Sequence, residues 1–259
     1  MKDQSDTCNP YSGPHPWQIN PVAKKVRQFL RHKEYFRWAQ KYCTPLRITG
    51  QERLATLEGP AIFIANHQSH MDTPVIMSAL PEVIQNNLLF GAAADRWFVK
   101  GKKKLILQPW YQSLALGNFP IIRGGGSKTL DYAKWLLDQQ TNICIFPEGT
   151  RATTNELGKF RAGVAILALQ KQVPVVPIVL KGLSDLRPKG SPTIKPGPVG
   201  VTILDPIYLS RDCPEHNEQR GIEESTQLLW QTMNREFNEP IEFPRKDKAS
   251  TTKEIIKAA

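Results

Sequence analysis

The amino-acid sequence predicts an α/β fold: a mixed, mostly parallel central sheet with helices on both faces, preceded by a basic amphipathic N-terminal helical segment. Three observations lead there. Short apolar runs of strand length alternate with segments of helical character, an order that lays helices over both faces of a largely parallel sheet. Residues 21–43 combine helical spacing of apolar side chains with charge of almost one sign. At 259 residues, the chain is long enough to bury a substantial core in one large domain with a small appendage.

In chain order, residues 1–45 read as an N-terminal membrane-contact segment, 46–240 as the main domain and 241–259 as a basic C-terminal tail. In the first segment Val22, Val26, Phe29 and Leu30 recur at helical spacing, with a break expected near His32. Lys24, Lys25, Arg27, Arg31, Lys33, Arg37 and Lys41 stand there against a single acid, Glu34. Such a helix lies in the interface of an anionic membrane, or it packs its apolar stripe on the domain with its charges solvated. The one-signed charge favours the membrane. Residues 47–50 and 53–57 suggest a short hairpin entering the domain. The main strands are expected at 61–65, 88–93, 119–122, 143–146, 175–179 and 199–204. Helices are expected at 73–80, 97–107, 129–137 (with Ser127 as N-cap) and 163–169, and a peripheral one at 218–237. Residues 246–259 read as a loose tail, and no internal repeat is visible.

A net charge of +10 implies an anionic partner: lipid headgroups, phosphorylated metabolites or nucleic acid. Nucleic acid fits worst, because no reader motif accompanies the charge. Cys8, Cys43, Cys144 and Cys213 are scattered, without a CxxC pair or zinc spacing, as suits free thiols in a reducing compartment. No run approaches 18 consecutive apolar residues, and the polar, proline-rich N-terminus lacks the apolar core of a secretory signal. The expectation is a protein held peripherally on the cytoplasmic side of a membrane.

The chemistry concentrates in Asn66-His67-Gln68-Ser69-His70-Met71-Asp72, directly after the apolar run 61–65. His67 falls at a strand exit and Asp72 about one helical turn later, where a carboxylate can fold back onto a ring nitrogen. It then fixes the tautomer and stabilises the imidazolium that forms when the ring takes a proton. Arg123, followed by Gly124-Gly125-Gly126-Ser127, suits an anion, although the run is not a Walker A loop. In Phe146-Pro147-Glu148-Gly149-Thr150-Arg151 a proline stops a strand, Glu148 can accept hydrogen bonds, Gly149 allows close backbone approach and Arg151 adds a cation. Lys159 and Arg161 add positive field nearby. His70 with His67 and Asp72 makes a nominal metal pattern, but no further strong ligand of defined spacing joins them, so no metal is expected. Ser69 lacks a G-x-S-x-G elbow and is a poor nucleophile candidate.

These blocks, with Val173-Pro174-Val175-Val176-Pro177-Ile178 as the fourth, resemble the glycerolipid acyltransferase superfamily over about residues 47–205. Among its members, the 1-acylglycerol-3-phosphate acyltransferases look most similar. The resemblance implies direct acyl transfer from acyl-CoA or acyl carrier protein to a lysophospholipid hydroxyl, with no cofactor and phosphatidic acid as product. It implies His67 and Asp72 as catalytic residues and Arg123, Glu148 and Gly149 as acceptor-binding residues, and Thr150 and Arg151 of the same block are taken with them as candidate substrate-binding residues. Lys100, Lys102, Lys103 and Lys104 suit an acyl carrier protein, the phosphates of coenzyme A or a membrane equally. Two alternatives stay open: a same-fold enzyme for another lysophospholipid or a non-glycerol lipid alcohol, and a non-catalytic lipid-binding protein.

Overall fold

The computed structural model describes residues 14–98, 108–124, 129–152, 156–186, 193–210, 218–241 and 243. Helix α1 (Pro21–Arg31) starts at Asn20, whose side chain accepts the Val22 N–H at 2.8 Å, with Pro21 at the first helical position. One π-helical turn (His32–Phe36) separates it from α2 (Arg37–Tyr42), so the predicted break near His32 is a change of helical phase. Strand β1 (Cys43–Thr49) follows, then β2 (Ile62–Ala65), α3 (Asp72–Ala79), α4 (Glu82–Gln85) and β3 (Leu88–Ala93). Next come α5 (Ala94–Trp97), α6 (Pro109–Tyr111), β4 (Asn118–Ile121), α7 (Asp131–Asp138) and β5 (Asn142–Ile145). The series ends with α8 (Gly163–Lys171), β6 (Val175–Lys181), α9 (Leu183–Leu186), β7 (Gly197–Ile203) and α10 (Glu218–Asn238).

The seven strands form one sheet in the order β1-β7-β6-β2-β5-β3-β4, parallel throughout except between β6 and β7. Side chains of β2 alternate between two cores. Ala61, Phe63 and Ala65 join Val75, Ile76 and Met77 of α3 on one face. Ile62 and Ile64 join Leu136 of α7, Val164 of α8, and Leu229 and Met233 of α10 on the other. Both faces are therefore covered, and apolar runs without polar alternation are what such strands require. Helix α10, expected at the periphery, contributes two fully buried side chains.

The expected hairpin does not form. Residues 43–49 are a single strand paired in parallel with β7, from Cys43 opposite Gly197 to Thr49 opposite Thr202. The second arm is replaced by a 3₁₀ turn, Gln51–Leu54. Gly50 begins it at φ 84°, with the Ile203 carbonyl oxygen 2.0 Å from where a β-carbon would stand, so only glycine passes there. Arg53 then donates to that same carbonyl at 2.8 Å. Of the predicted 97–107 helix only its first residues are described, and α5 ends there; Ser127 and 246–259 lie outside the described residues.

Helix α1 buries its arginines and exposes its larger apolar side chains, the reverse of an ordinary surface helix. Arg27 and Arg31 are each 3% exposed, whereas Val22 is 69% and Phe29 59% exposed. Arg31 donates to the carbonyls of Gln85, Leu88 and Leu116 at 2.9–3.3 Å, and Arg27 to those of Gln18 and Leu114 at 2.7 and 3.2 Å. Burial lowers both guanidinium pKa values, Arg27 to about 9 and Arg31 to about 10, so both carry charge at neutral pH. Gly117 is a glycine because the Arg31 guanidinium lies 1.9 Å from its would-be β-carbon. With Lys24, which donates to Asn87 Oδ1 at 2.7 Å, three of the seven cations thus anchor the helix to the domain.

Candidate active site

The parallel strands β2, β5, β3 and β4 are consecutive neighbours, so their carboxyl ends open on one edge of the sheet. Binding sites of open α/β sheets lie at such an edge. His67 leaves β2, Phe146 to Gly149 leave β5, α5 leaves β3 and Arg123 leaves β4. Residues far apart in sequence are thereby brought into one row.

His67 Nδ1 lies 2.6 Å from Asp72 Oδ2. Asp72 is fully buried and also accepts the backbone N–H groups of Gln68 and Ser69 at 2.8 and 2.9 Å. Burial pushes its carboxyl above the usual carboxylate range, and the hydrogen bonds from His67, Ser69 and Gln68 oppose that push. An ionised carboxylate only accepts, so Nδ1 carries the ring proton and Nε2 is left as the basic nitrogen. Asp72 also stands in the first turn of α3, where a negative charge is stabilised. The imidazole itself is about a quarter exposed, enough to be reached.

The loop carrying His67 is held on both sides. Before it, Asn66 exchanges two hydrogen bonds with Leu180 (2.7 and 2.8 Å) and so continues the β2–β6 pairing past the last strand residue. After β5, the Phe146 ring stacks on the imidazole, 4.3 Å between centroids and 23° between planes. Glu148 accepts the His67 N–H at 2.9 Å and the Gly158 N–H at 3.3 Å, and Ala152 N–H donates to the His67 carbonyl at 2.8 Å. Burial raises the Glu148 carboxyl above its usual range, against those backbone hydrogen bonds. Glu148 therefore ties the two loops together. Gly149 has φ 72°, and the close approach it permits is made by the Arg161 guanidinium, whose Nε is 2.7 Å from the would-be β-carbon. Thr150 is exposed and Arg151 half-buried.

Arg123 is 40% exposed and pairs with Asp95 of α5: Nε donates to Oδ1 at 3.1 Å and Nη2 to Oδ2. The guanidinium holds the Asp95 carboxyl below its usual range. Trp97, on the same turn as Asp95, meets the His70 ring edge-on at 5.7 Å. Asp95 carried no mark in the sequence, and nothing there paired Phe146 or Trp97 with the histidines, because these contacts arise only from strand order. Among the described residues no three His, Cys, Asp or Glu side chains gather as metal ligands.

A family model described as Acyltransferase matches residues 45–181. Similar proteins include the chloroplastic 1-acyl-sn-glycerol-3-phosphate acyltransferase of Arabidopsis thaliana, 30% identical over 224 residues, 83% of this chain and 58% of that one. Another is the human 1-acyl-sn-glycerol-3-phosphate acyltransferase alpha, 28% identical over 188 residues, 71% of this chain and 60% of that one. The chain spans 50% to 61% of the length of the plant relatives it matches. The crystal structure of the 1-acyl-sn-glycerophosphate acyltransferase PlsC from Thermotoga maritima has the same fold, with a TM-score of 0.60 at 22% identity, over 85% of this chain and 82% of that one. A family match over residues 45–181, more than half of the 259, carries one conclusion: the chain belongs to the acyltransferase family.

Proposed function

We infer that the protein moves a fatty acyl group from an acyl thioester to the free hydroxyl of 1-acylglycerol-3-phosphate, giving phosphatidic acid. The observation that carries this reading is the His67–Asp72 pair, fixed at 2.6 Å on the sheet edge that also carries Arg123. The names of the relatives supply the substrate class. Nε2 of His67 takes the hydroxyl proton as the oxygen attacks the thioester carbonyl. The tetrahedral intermediate then expels the thiolate, the C–S bond breaks, and the imidazolium returns its proton to sulfur. Asp72 stabilises the imidazolium, and Arg123 holds the acceptor phosphate, with Arg151 and Arg161 adding positive charge at the mouth. The acyl donor is the thioester of coenzyme A or of an acyl carrier protein.

The test is transfer of a labelled acyl thioester to a panel of acceptors by the purified protein. The expected acceptor is the monoacylglycerol phosphate, with turnover reduced about 100-fold or more in His67→Ala and Asp72→Ala, as for loss of a general base or its partner. Equal rates on phosphorylated and unphosphorylated acceptors would assign the protein to another lipid alcohol. No transfer to any acceptor would leave lipid binding as its activity.

We also infer that α1 docks the protein peripherally on the cytoplasmic face of an anionic membrane. No described helix is long and apolar enough to cross a membrane. Val22, Val26 and Phe29 form an exposed stripe on α1, and Lys25, Lys33, Arg37 and Lys41 are exposed around it. Lys33 Nζ lies 4.6 Å over the Phe29 ring, so charge and apolar surface share one face, as an interfacial helix requires.

A further inference from the structure

We propose that Asp95 is a positioning residue for Arg123, and that α5, which carries it, sets the separation between the base and the acceptor's phosphate. The proposal rests on the reading of Arg123 as the phosphate-binding residue given above. Its starting point is a mismatch of distances. His67 and Arg123 leave strands that are three places apart in the sheet, β2 and β4. At about 4.8 Å per strand that is roughly 14 Å. In a monoacylglycerol phosphate the reacting hydroxyl and the phosphate belong to the same three-carbon unit, so they stand far closer than that. The guanidinium must therefore be brought inward from the sheet edge toward the base.

Asp95 is placed to do this. It belongs to the turn that leaves β3, one strand nearer to β2 than the strand that delivers Arg123. The contact is side-on, through Nε and Nη2, so Nη1 and the outer hydrogen of Nη2 remain directed away from the carboxylate. A phosphate can take that free edge while Asp95 keeps the other. The pair is 40% and 61% exposed, a setting in which ion pairs contribute little to stability. Its consequence is thus orientation and not folding.

The turn carrying Asp95 is itself fixed against both halves of the site. Ala94 and Phe98 are buried, with Ala92, Trp97 and Ile122 packed on them, so the turn is locked to the start of the Arg123 loop. From the same turn Trp97 touches His70, three residues after the base. One rigid turn thereby spans the distance from the imidazole loop to the guanidinium. A substrate whose hydroxyl-to-phosphate distance matches the separation of imidazole and guanidinium that this turn sets gains both contacts at once.

The experiment measures steady-state kinetics of the full chain on a monoacylglycerol phosphate, with KM taken separately for acceptor and donor. Asp95→Ala should raise the acceptor KM by about tenfold, with kcat and donor KM little changed, because an unrestrained arginine loses binding and not chemistry. Asp95→Asn, whose amide oxygen still accepts one hydrogen bond, should recover part of the loss. Arg123→Ala should raise the acceptor KM at least as much, and Asp95→Ala added to it should change nothing further, since the two act through one guanidinium. Discrimination against an acceptor whose phosphate is blocked as a diester should fall in Asp95→Ala. If Arg123→Ala raises the acceptor KM while Asp95→Ala leaves it unchanged or lowers it, Asp95 is a bystander or a competitor and the proposal is overturned. If Arg123→Ala itself leaves the acceptor KM unchanged, the phosphate reading of Arg123 is the one that fails. A lowered unfolding temperature in Asp95→Ala with parallel losses in kcat and both KM values would make the pair structural and also overturn the proposal.

Discussion

At the scale of single residues, the site separates groups that the linear motif presents alike. His67 and Asp72 form a contact that sequence spacing can announce, because five residues at a strand-to-helix turn return the chain on itself. Glu148 is different. Both of its carboxylate oxygens accept backbone N–H groups, one of them from His67 itself, so its first effect is on the position of the base. Glu148→Ala should leave two N–H groups without their acceptor and lower stability by roughly 1–3 kcal/mol. It should also reduce kcat by about tenfold or more as His67 loses its register, with acceptor KM within a few-fold of the native value. Denaturation curves beside steady-state kinetics check both parts. A rise confined to acceptor KM, at unchanged stability, would return Glu148 to direct contact with the substrate. Such a pin is not legible in the motif, since β5 becomes the neighbour of β2 only through non-local pairing. Asp95 with Arg123, 28 residues apart beyond the ends of adjacent strands, is invisible for the same reason.

At the scale of elements, the amphipathic pattern of α1 defines an axis but not which side meets the domain. Hydropathy alone allows Val22, Val26 and Phe29 to face either the domain or a membrane; the structure exposes them and buries Arg27 and Arg31. The reason lies in the surface that receives the helix: a row of carbonyls at Gln85, Leu88, Leu114 and Leu116, which only donors can satisfy. A planar guanidinium reaches several acceptors at once, which an ammonium cannot do. Arg31→Met should strand three of those carbonyls and cost about 2–4 kcal/mol in chemical denaturation, with Arg31→Lys recovering only part. A methionine variant as stable as the native chain would mean that the carbonyls find other donors. The hairpin expected at residues 47–57 failed for a related reason. The 43–49 strand has its partner about 150 positions later, and nothing in the local pattern tells a parallel edge strand from the first arm of a hairpin.

At the scale of the whole molecule, the two ends of the sheet have different tasks. The anchors of α1 and of the 3₁₀ turn before it (Pro16–Ile19) gather at the amino ends of β3 and β4, where Arg31 holds the Leu88 carbonyl and Gln18 donates to the Asn118 carbonyl at 2.8 Å. The candidate base and Arg123 lie at the carboxyl ends of the strands. Changes to the outer face of α1 are therefore remote from the chemistry, and membrane contact and catalysis can be tested apart. The six main strands and both-sided helical cover were legible because each apolar run is local; the division of labour between sheet ends was not, because it depends on strand order. Val22→Ser, Val26→Ser and Phe29→Ser together should change the thermal midpoint little, since all three side chains are exposed. At about 1 kcal/mol or more per apolar side chain transferred to lipid, the triple variant should bind anionic vesicles roughly 100-fold more weakly. The binding that remains should come from Lys25, Lys33, Arg37 and Lys41 and fall with salt, as screening over about 10 Å at 0.1 M reaches exposed charges. Turnover of a short-chain, water-soluble acceptor should stay at the native rate while turnover of vesicle-borne substrate falls. A lowered midpoint in the triple variant, or vesicle binding indifferent to both salt and lipid charge, would show that α1 does not dock on the membrane, and the +10 charge would then have to be read against the acyl donor alone.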